Sequence, residues 1–330
     1  MDLQGHRALV SGANGFVGSY ITENLLEKGY QVRVMVRRTS DLSALEGLNV
    51  EYVYGDVTNP ESLPGTVEGM ETIFHVAGIT RSKDIRQFDI VNAEGSGNLM
   101  RACLDVPEVK RFVYISSQAA GGPSSPTTPR KEDDPPNPVT AYGRSKRGGE
   151  IACRQVSADR IPVTIVRPCI VYGPREPEGL SLFMTNKRKI TPAILPKACF
   201  SLIHAEDLAD LIERAGRLDV AGNRIYNAAD PEPYWTKRII KVIDSVLDTR
   251  ILLIPVNQRF LSLLMTINEA MLKKGIGVKL LTRERMEDAM HRYWTMDMTR
   301  TMDDLGWRPE RSLEERIRET AGWYRESGLY

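Results

Sequence analysis

Cysteine and histidine are scarce in this chain of 330 residues, which has four of each. No two cysteines form a Cys-x-x-Cys pair, and no two histidines have the His-x-x-x-His spacing of a helical metal site. The sequence therefore excludes a disulfide-stapled scaffold and argues against a metal centre. Because no stretch resembles a secretory signal peptide, we expect reduced, buried thiols in a cytoplasmic protein. The residues concerned are Cys103, Cys153, Cys169, Cys199, His6, His75, His204 and His291.

The sequence also lacks an excess of charge of either sign, since 44 Lys and Arg stand against 43 Asp and Glu, a net charge of +1. Such a chain has no overall field that attracts nucleic acid, so we expect no nucleic-acid partner. Long hydrophobic runs are missing too. The most apolar stretch, Ile251 to Ile267, contains Pro255 and Arg259 and is shorter than the ~20 residues that cross a bilayer. We expect a buried helix or the wall of an apolar pocket there, with peripheral membrane contact as the alternative to a membrane span.

A glycine-rich turn lies near the start of the chain, between an apolar stretch and a helix-like stretch. Gly12, Gly15 and Gly18 have a spacing close to that of dinucleotide-binding loops. Gly12 suits the tight turn, Gly15 lets the backbone approach a diphosphate, and Gly18 lets the helix pack on the sheet. The helix is predicted over Ser19 to Lys28, where its unpaired amides would face the phosphates. The alternative is an ordinary strand-to-helix turn without a ligand.

Strand-like and helix-like stretches alternate after this turn, which predicts an α/β fold with a doubly wound parallel sheet of the Rossmann type. In such a sheet, ligands bind outside the carboxyl ends of the strands. Asp207 is predicted to cap the helix that follows it. The predicted strands lie at Ala8 to Val10, Gln31 to Val36, Val50 to Tyr54, Ile73 to Gly78, Arg111 to Ile115, Val163 to Val166 and Ile225 to Ala228, and the predicted helices at Asp89 to Leu104, Ala141 to Val156 and Leu208 to Arg217.

The C-terminal third of the chain is predicted to be mainly helical. Its helical patterns cover Trp235 to Leu247, Leu261 to Lys274, Thr282 to Trp294 and Leu313 to Ser327. We therefore predict a dinucleotide-binding domain formed by residues 1–172 and about 200–228. A smaller, mainly helical substrate-binding domain would comprise about 173–199 and 229–330.

The residues that follow the second strand indicate which nicotinamide cofactor the chain prefers. An acidic residue at this place accepts a hydrogen bond from the ribose 2′-hydroxyl of NAD, whereas an arginine pairs with the 2′-phosphate of NADP. The chain has Arg37 and Arg38 there, and no acidic residue before Asp41. The pattern favours NADP(H) and leaves NAD(H) possible. The alternative is a solvated basic pair after a strand.

Four further residues lie at or just after strand ends, at the edge of the sheet where a cofactor would lie. Asp56 and Val57 come after the third strand, where the carboxylate suits the adenine amino group and Val57 can pack on the ring. Ala77 and Gly78 end the predicted fourth strand and are small enough to let the backbone lie against a cofactor. Asn92 lies near the start of the next helix on the same side, whereas His75 is interpreted as a packed strand residue.

A tyrosine and a lysine, Tyr142 and Lys146, are four residues apart at the start of a predicted helix. At that spacing they share one face of the helix. A tyrosine hydroxyl titrates near pH ~10, and a nearby ammonium favours its anion, which makes it a usable proton donor and acceptor at neutral pH. Lys146 could also hold the nicotinamide ribose. The alternative for this pair is a solvated helix face.

With these stretches identified, the chain resembles the extended short-chain dehydrogenase/reductases, a superfamily of NAD(P)-dependent epimerases, dehydratases, 3β-hydroxysteroid dehydrogenases and dihydroflavonol reductases. The resemblance rests on the order and spacing of several segments over nearly the whole chain. These segments are SGANGFVG, GDV, HVAG, VNAEGSGN, YISS, AYGRSK, RPCIVYGP, LIHAEDLAD and LGWRPERSLEERI.

The resemblance implies roles for individual residues. Tyr142 would exchange a proton with the substrate oxygen during hydride transfer, next to Lys146, and Ser117 would orient that oxygen, with Ser116 as the alternative serine. No metal is required, and dimers form in the family, here through the helix after Tyr142. The cofactor contacts carried over are Gly12, Asn14, Gly15, Phe16, Val17, Gly18, Arg37, Asp56, Val57, Ala77, Gly78, Asn92, Tyr142, Lys146 and Pro168.

Three functions remain open at this stage. The first is an NADP(H)-dependent oxidoreductase acting on the hydroxyl or ketone of a mainly apolar small molecule. The second is a nucleotide-sugar epimerase with tightly bound NAD, although Arg175 to Ala198 lacks an obvious Asn and Arg set for a diphosphate. The third is a non-catalytic nucleotide-sensing protein, which is disfavoured because such relatives tend to lose the tyrosine or the lysine. Dehydration is disfavoured as well, since Ser117-Gln118-Ala119 has no carboxylates.

Overall fold

The computed structural model describes residues 4–176, 190–193, 197–248, 252–255 and 291–328, together with Thr266, Asn268 and Met271. The strands in chain order are β1 (Arg7–Ser11), β2 (Gln31–Val36), β3 (Glu51–Tyr54), β4 (Thr72–His75), β5 (Arg111–Ile115), β6 (Val163–Pro168), β7 (Ile170–Tyr172), β8 (Ile190–Ala193), β9 (Cys199–Phe200), β10 (Leu202–His204), β11 (Ile225–Ala228), β12 (Tyr234–Trp235), β13 (Leu252–Pro255) and β14 (Tyr293–Trp294).

The α-helices are α1 (Phe16–Glu27), α2 (Pro64–Val67), α3 (Arg86–Phe88), α4 (Gly95–Cys103), α5 (Gln118–Gly121), α6 (Ala141–Ser157), α7 (Ala205–Arg217), α8 (Thr236–Leu247), α9 (Thr299–Leu305) and α10 (Leu313–Glu326). A π-helical segment, Asp89–Glu94, joins α3 to α4. Short 3₁₀ turns cover Ser43–Leu45, Pro60–Ser62 and Asp219–Ala221.

Seven parallel strands form the main sheet in the order β11-β6-β5-β4-β1-β2-β3. The order reverses between β1 and β4, so the loops after these strands diverge and open a crevice at their carboxyl ends. The predicted doubly wound α/β fold is confirmed. Smaller sheets pair β10 with β7, β13 with β8, and β12 and β14 with β9.

Both faces of the main sheet are buried. On β1, Val10 points to the side of α1 and α7 and packs in one cluster with Ile21 and Leu211. Its neighbour Leu9 points to the opposite side, in a cluster with Leu99 of α4. Alternating side chains that are apolar on both faces are what a sheet covered by two helical layers requires. A third apolar cluster joins α8 to α10.

Two helix predictions at the amino-terminal half differ from the structure at their boundaries. The first helix begins at Phe16 rather than Ser19, because the glycine turn closes within Gly12 to Gly15. The predicted helix from Asp89 to Leu104 begins with the π-helical segment Asp89–Glu94 and continues as α4.

The predicted cap of α7 is wrong. His204 is the N-cap of this helix, and its Nδ1 accepts a hydrogen bond of 3.4 Å from the Glu206 amide. Asp207 lies inside the first turn and accepts hydrogen bonds of 2.6 and 2.9 Å from Arg316 of α10. The carboxylate therefore joins two helices instead of capping one.

The predicted helix that ends at Trp294 is wrong at its end. Tyr293–Trp294 forms β14, which pairs in parallel with Cys199–Phe200. Two adjacent aromatic residues suit an extended, half-buried strand better than a helix. Most of the predicted helix from Leu261 to Lys274, and residues 282–290 of the next one, lie outside the described residues.

All four cysteines are buried and unpaired. Cys103 and Cys153 lie in the cluster beneath α4 and α6, and burial raises the pKa of both thiols well above the ordinary range. In the part of the chain that the structure describes, no helix is long and apolar enough to cross a membrane.

Candidate active site

The glycine turn is packed so closely that side chains do not fit at two of its glycines. Gly12 has a φ of +71°, and a Cβ there would lie 2.7 Å from the backbone of Ala77. A Cβ at Gly18 would lie 2.1 Å from the carbonyl oxygen of Gly12. At Gly15, the N-cap of α1, a Cβ would meet only that same oxygen, at 3.3 Å. No side chain caps the helix, so its first amides are available to an anionic ligand.

A cavity of about 810 Å³ lies at the carboxyl ends of the main strands. Its volume is within the range of small-molecule and cofactor sites. Every predicted site residue except Asn92 lines it. These residues are Gly12, Asn14, Gly15, Phe16, Val17, Gly18, Arg37, Asp56, Val57, Ala77, Gly78, Ser117, Tyr142, Lys146 and Pro168.

The two arginines after β2 lie in different environments. Arg37 lines the cavity together with Ser40, whose Oγ accepts a hydrogen bond of 3.1 Å from the Arg37 amide. The Arg38 guanidinium instead lies 4.8 Å from the centre of the Tyr54 ring. Of the pair, Arg37 is therefore the residue placed to meet a phosphate in the cavity.

Asp56 and Val57 are held at the adenine end predicted for the cavity. The Asp56 carboxylate accepts hydrogen bonds of 2.8 and 2.7 Å from the amide and hydroxyl of Thr58. The Val57 carbonyl accepts one of 2.9 Å from Asn98, and a Cβ at Gly95 would lie 2.7 Å from a Val57 methyl group. These contacts fix the loop after β3.

Asn92 lies behind the cavity wall and does not line it. Its side chain is fully buried and exchanges two hydrogen bonds, of 2.8 and 2.9 Å, with the backbone of Ile79. Its amide nitrogen also lies 3.0 Å from Ser145 Oγ on α6. These contacts hold the loop after β4 against α6, and the predicted contact of Asn92 with a cofactor stays a prediction.

Ser116 and Ser117 both line the cavity, but their hydroxyl groups differ. Ser116 Oγ donates a hydrogen bond of 2.7 Å to the buried Glu150 carboxylate. Ser117 is the N-cap of α5, and its Oγ accepts a hydrogen bond of 3.1 Å from the Ala119 amide. Because accepting that bond leaves the Ser117 hydroxyl hydrogen available, Ser117 is the better placed of the two to donate to a ligand oxygen.

Tyr142 and Lys146 lie in the first turns of α6. Thr140 caps this helix through a hydrogen bond of 3.1 Å from the Gly143 amide, which fixes where the helix begins. A Cβ at Gly143 would lie 2.5 Å from the Ala119 carbonyl oxygen, so α6 approaches the turn that carries Ser117. The three predicted catalytic residues consequently share one end of the cavity.

Lys146 is a buried cation. Its Nζ donates a hydrogen bond of 2.6 Å to the Ile115 carbonyl and lies 4.4 Å from the centre of the Tyr114 ring. Burial lowers the pKa of Lys146 to about 8. A lysine with a pKa in this range carries its charge over much of the neutral pH range and is placed to favour the anion of a neighbouring tyrosine.

An ion pair between Glu150 of α6 and Arg167 of β6 was not predicted from the sequence. Both carboxylate oxygens of Glu150 accept hydrogen bonds of 2.7 Å from Arg167, and Arg147 donates another of 2.7 Å. Although burial favours the neutral acid, the bonds from Arg167 and Ser116 hold the pKa of Glu150 below its ordinary value. The signal in the sequence is an arginine within the otherwise apolar strand VTIVRP.

His75 is a packed strand residue, as predicted. Its Nδ1 lies 2.7 Å from Ser11 Oγ and its Nε2 lies 2.9 Å from Ser96 Oγ. Since Ser96 Oγ donates to the Asn92 carbonyl at 2.7 Å, it accepts from Nε2–H, and Nδ1 accepts from Ser11. Burial lowers the pKa of His75 to about 3, so the ring is neutral.

One group of potential metal ligands occurs among the described residues, formed by His204, Glu206 and Glu319. Arg316 donates hydrogen bonds of 2.5 and 3.0 Å to the two carboxylates of this group. The guanidinium therefore supplies the positive charge that a metal ion would bring.

Comparison with known proteins identifies relatives among nicotinamide-dependent enzymes. A sequence model of the NAD dependent epimerase/dehydratase family matches residues 8–229. A ceramide reductase of Caulobacter vibrioides is 32% identical over 216 residues, which are 64% of this chain and 62% of that protein. Sterol demethylase protein B of Methylococcus capsulatus is 35% identical over 170 residues, which are 50% and 52% of the two chains. The matched segment thus spans less than two thirds of the length of both relatives.

A relative that matches over nearly its full length is UDP-glucose 4-epimerase of Vibrio cholerae, which is 27% identical over 327 residues, 95% of this chain and 94% of that protein. Among solved structures, the crystal structure of gox2253 has a TM-score of 0.82 at 24% identity and covers 98% of this chain and 99% of its own. This similarity shows a shared fold.

Proposed function

The chain belongs to the NAD dependent epimerase/dehydratase family, and we propose that it is an NADP(H)-dependent oxidoreductase acting on a secondary alcohol or ketone of a mainly apolar small molecule. Family membership and reductase relatives already make it an NAD(P)-dependent oxidoreductase or epimerase. The observation that carries the finer proposal is that one cavity is lined both by the uncapped start of α1 and by Ser117, Tyr142 and Lys146.

The residues of the chain fit a dinucleotide and divide the work of the reaction. The bound nicotinamide supplies the hydride acceptor or donor. Ser117 donates a hydrogen bond to the substrate oxygen, and Tyr142 gives that oxygen a proton or takes one from it. The ammonium of Lys146, one helical turn away, favours the tyrosine anion and so assists this proton transfer.

The preference for NADP(H) is supported by the position of Arg37. Arg37 lines the cavity beside Ser40, at the end of β2 where the adenosine ribose lies in folds of this type. A guanidinium pairs well with a phosphate, and a serine hydroxyl can donate to the same group. No acidic residue in β2 or the three positions after it offers the acceptor that NAD favours.

The apolar substrate is supported by the named relatives, since a ceramide and a sterol are both lipids. The apolar stretch from Ile251 onward is consistent with such a molecule, although only a few of its residues are described.

A second candidate is a nucleotide-sugar epimerase with tightly bound NAD. The near full-length match to UDP-glucose 4-epimerase favours it. An epimerase oxidises and then reduces the same substrate, so it has no need to exchange its cofactor.

Identifying the cofactor separates the two candidates. Purified protein is denatured, the released nucleotide is identified, and the emptied protein is titrated with NADPH and with NADH. An empty protein that prefers NADPH, and that then reduces ketones from a panel of sterols and long-chain lipids, supports the oxidoreductase. Tightly retained NAD(H), with turnover of UDP-sugars instead, would overturn it in favour of the epimerase.

A further inference from the structure

Within the described part of the chain, the buried ammonium of Lys146 has little unbalanced negative charge around it. Glu150 is the carboxylate that acts on it from the same helix, one turn further on. That carboxylate already accepts hydrogen bonds from Arg167, Arg147 and Ser116, so two guanidinium groups balance its charge. Little of the Glu150 charge therefore remains to stabilise Lys146.

Two other titratable groups near the ammonium, among the residues that the structure describes, are neutral. Cys153, also on α6, stays a thiol because burial raises its pKa. His75 of β4 stays an uncharged imidazole because burial lowers its pKa. Tyr142, one turn before Lys146, is the proton-transfer residue of the proposed function.

Two contacts from β5 take the place of a counter-ion. One N–H of Lys146 donates to the Ile115 carbonyl at 2.6 Å. The Nζ also lies 4.4 Å from the centre of the Tyr114 ring, well within the ~6 Å over which the negative face of an aromatic ring attracts a cation. Lys146 also lines the cavity.

The Tyr114 ring is fixed in this position by its surroundings. It is fully buried, and its hydroxyl lies 3.3 Å from the Asn92 carbonyl and 3.4 Å from the Lys146 carbonyl. A Cβ at residue 149 would lie 2.2 Å from that hydroxyl, so Gly149 provides the space for it. The ring is therefore already held against Nζ, so it loses no conformational entropy when Lys146 becomes charged.

We propose that the face of the Tyr114 ring stabilises the charged form of Lys146 and thereby sets the pH range over which the lysine can assist Tyr142. Tyr114 is a positioning residue in this scheme, because it acts on the reaction through Lys146. The role in catalysis rests on the proposed function, whereas the effect on Lys146 itself does not.

The test measures the titration of Lys146 directly in the purified full-length protein. Lysines are labelled with trace isotope-coded acetic anhydride at a series of pH values, and the label on the Lys146 peptide is quantified by mass spectrometry. We expect a midpoint near pH 8 in the unmodified protein. Tyr114→Leu, which removes the ring, should lower this midpoint by roughly one unit, whereas Tyr114→Phe, which keeps it, should not.

Because Tyr114→Leu leaves a cavity, a second series keeps the shape of the ring. Phenylalanine, difluorophenylalanine and pentafluorophenylalanine at position 114 weaken the negative ring face stepwise, and the Lys146 midpoint should fall with each step. A midpoint that stays constant along this series would overturn the proposal, whether or not the leucine variant folds. The measurement needs no substrate, so absence of NADPH-dependent turnover would count against the proposed function alone.

Discussion

Arg167 donates two hydrogen bonds of 2.7 Å to Glu150, one to each carboxylate oxygen, and both side chains are buried. Removing only the arginine leaves a buried carboxylate without its main cation. We expect Arg167→Leu to lower the free energy of unfolding by about 3–5 kcal/mol, measured by urea denaturation at pH 7.

The matched control for this pair is the double variant Glu150→Gln, Arg167→Leu. It removes the charge together with its partner, so we expect it to recover much of the lost stability. A loss below about 1 kcal/mol in the single variant would show that the pair carries little of the stability assigned to it.

The two neighbouring serines should respond differently to the loss of their hydroxyl groups. Ser117→Ala removes the proposed donor to the substrate oxygen and the N-cap of α5, and we expect kcat/KM to fall about 10²–10³-fold and stability to fall by about 1 kcal/mol. Ser116→Ala removes a bond to the buried Glu150 carboxylate, and we expect it to cost about 1.5–3 kcal/mol of stability. Steady-state kinetics and urea denaturation of both variants check this, and equal kinetic losses would contradict it.

The two arginines after β2 offer a similar matched pair. Arg37 lines the cavity, so Arg37→Ala should weaken NADPH binding about 10–100-fold and leave NADH binding nearly unchanged. Arg38 packs on Tyr54, so Arg38→Ala should change either affinity less than about threefold. Fluorescence titration measures both. Equal losses for NADPH and NADH in Arg37→Ala would argue against a 2′-phosphate contact.

His75 should make the protein less stable in mild acid. Its pKa is lowered by burial to about 3 in the folded chain and is 6.5 in an exposed histidine, so the unfolded chain binds the extra proton first. The stability that the neutral ring contributes is complete above about pH 6.5 and is lost as the pH falls toward 3, at up to about 1.4 kcal/mol per pH unit.

The variant His75→Asn keeps an acceptor for Ser11 and removes the titrating ring. Between pH 6.5 and 5 its free energy of unfolding should fall less steeply than that of the unmodified protein. Part of the slope should persist, because burial lowers the pKa of His204 as well. Identical slopes in the two proteins would show that His75 does not contribute.

Much of the fold followed from patterns that are local in the sequence. The alternation of apolar strands and amphipathic helices predicted the parallel sheet, and the glycine spacing predicted the turn before α1. The predicted site residues were expected to meet at one edge of the sheet, and all of them except Asn92 line the cavity there.

The remaining features depend on contacts between residues that are distant in the chain. Which serine keeps its hydroxyl hydrogen available depends on Glu150, which lies 34 residues after Ser116. Asp207 pairs with Arg316, 109 residues away, and so does not act as a cap. Patterns of hydropathy and spacing do not identify such partners, because they do not show which distant side chains meet when the helices pack.

Two of the buried cysteines can report local opening of the helices on one face of the sheet. Cys103 lies on α4, and Cys153 lies on α6, the helix that carries Tyr142 and Lys146. Neither side chain is accessible in the folded chain. Their raised pKa values keep them as unreactive thiols. A thiol reagent can therefore modify Cys153 only when α6 separates from the sheet, and Cys103 only when α4 does. The rate of modification of Cys153, followed with and without nucleotide, measures how often the helix that carries Tyr142 and Lys146 opens.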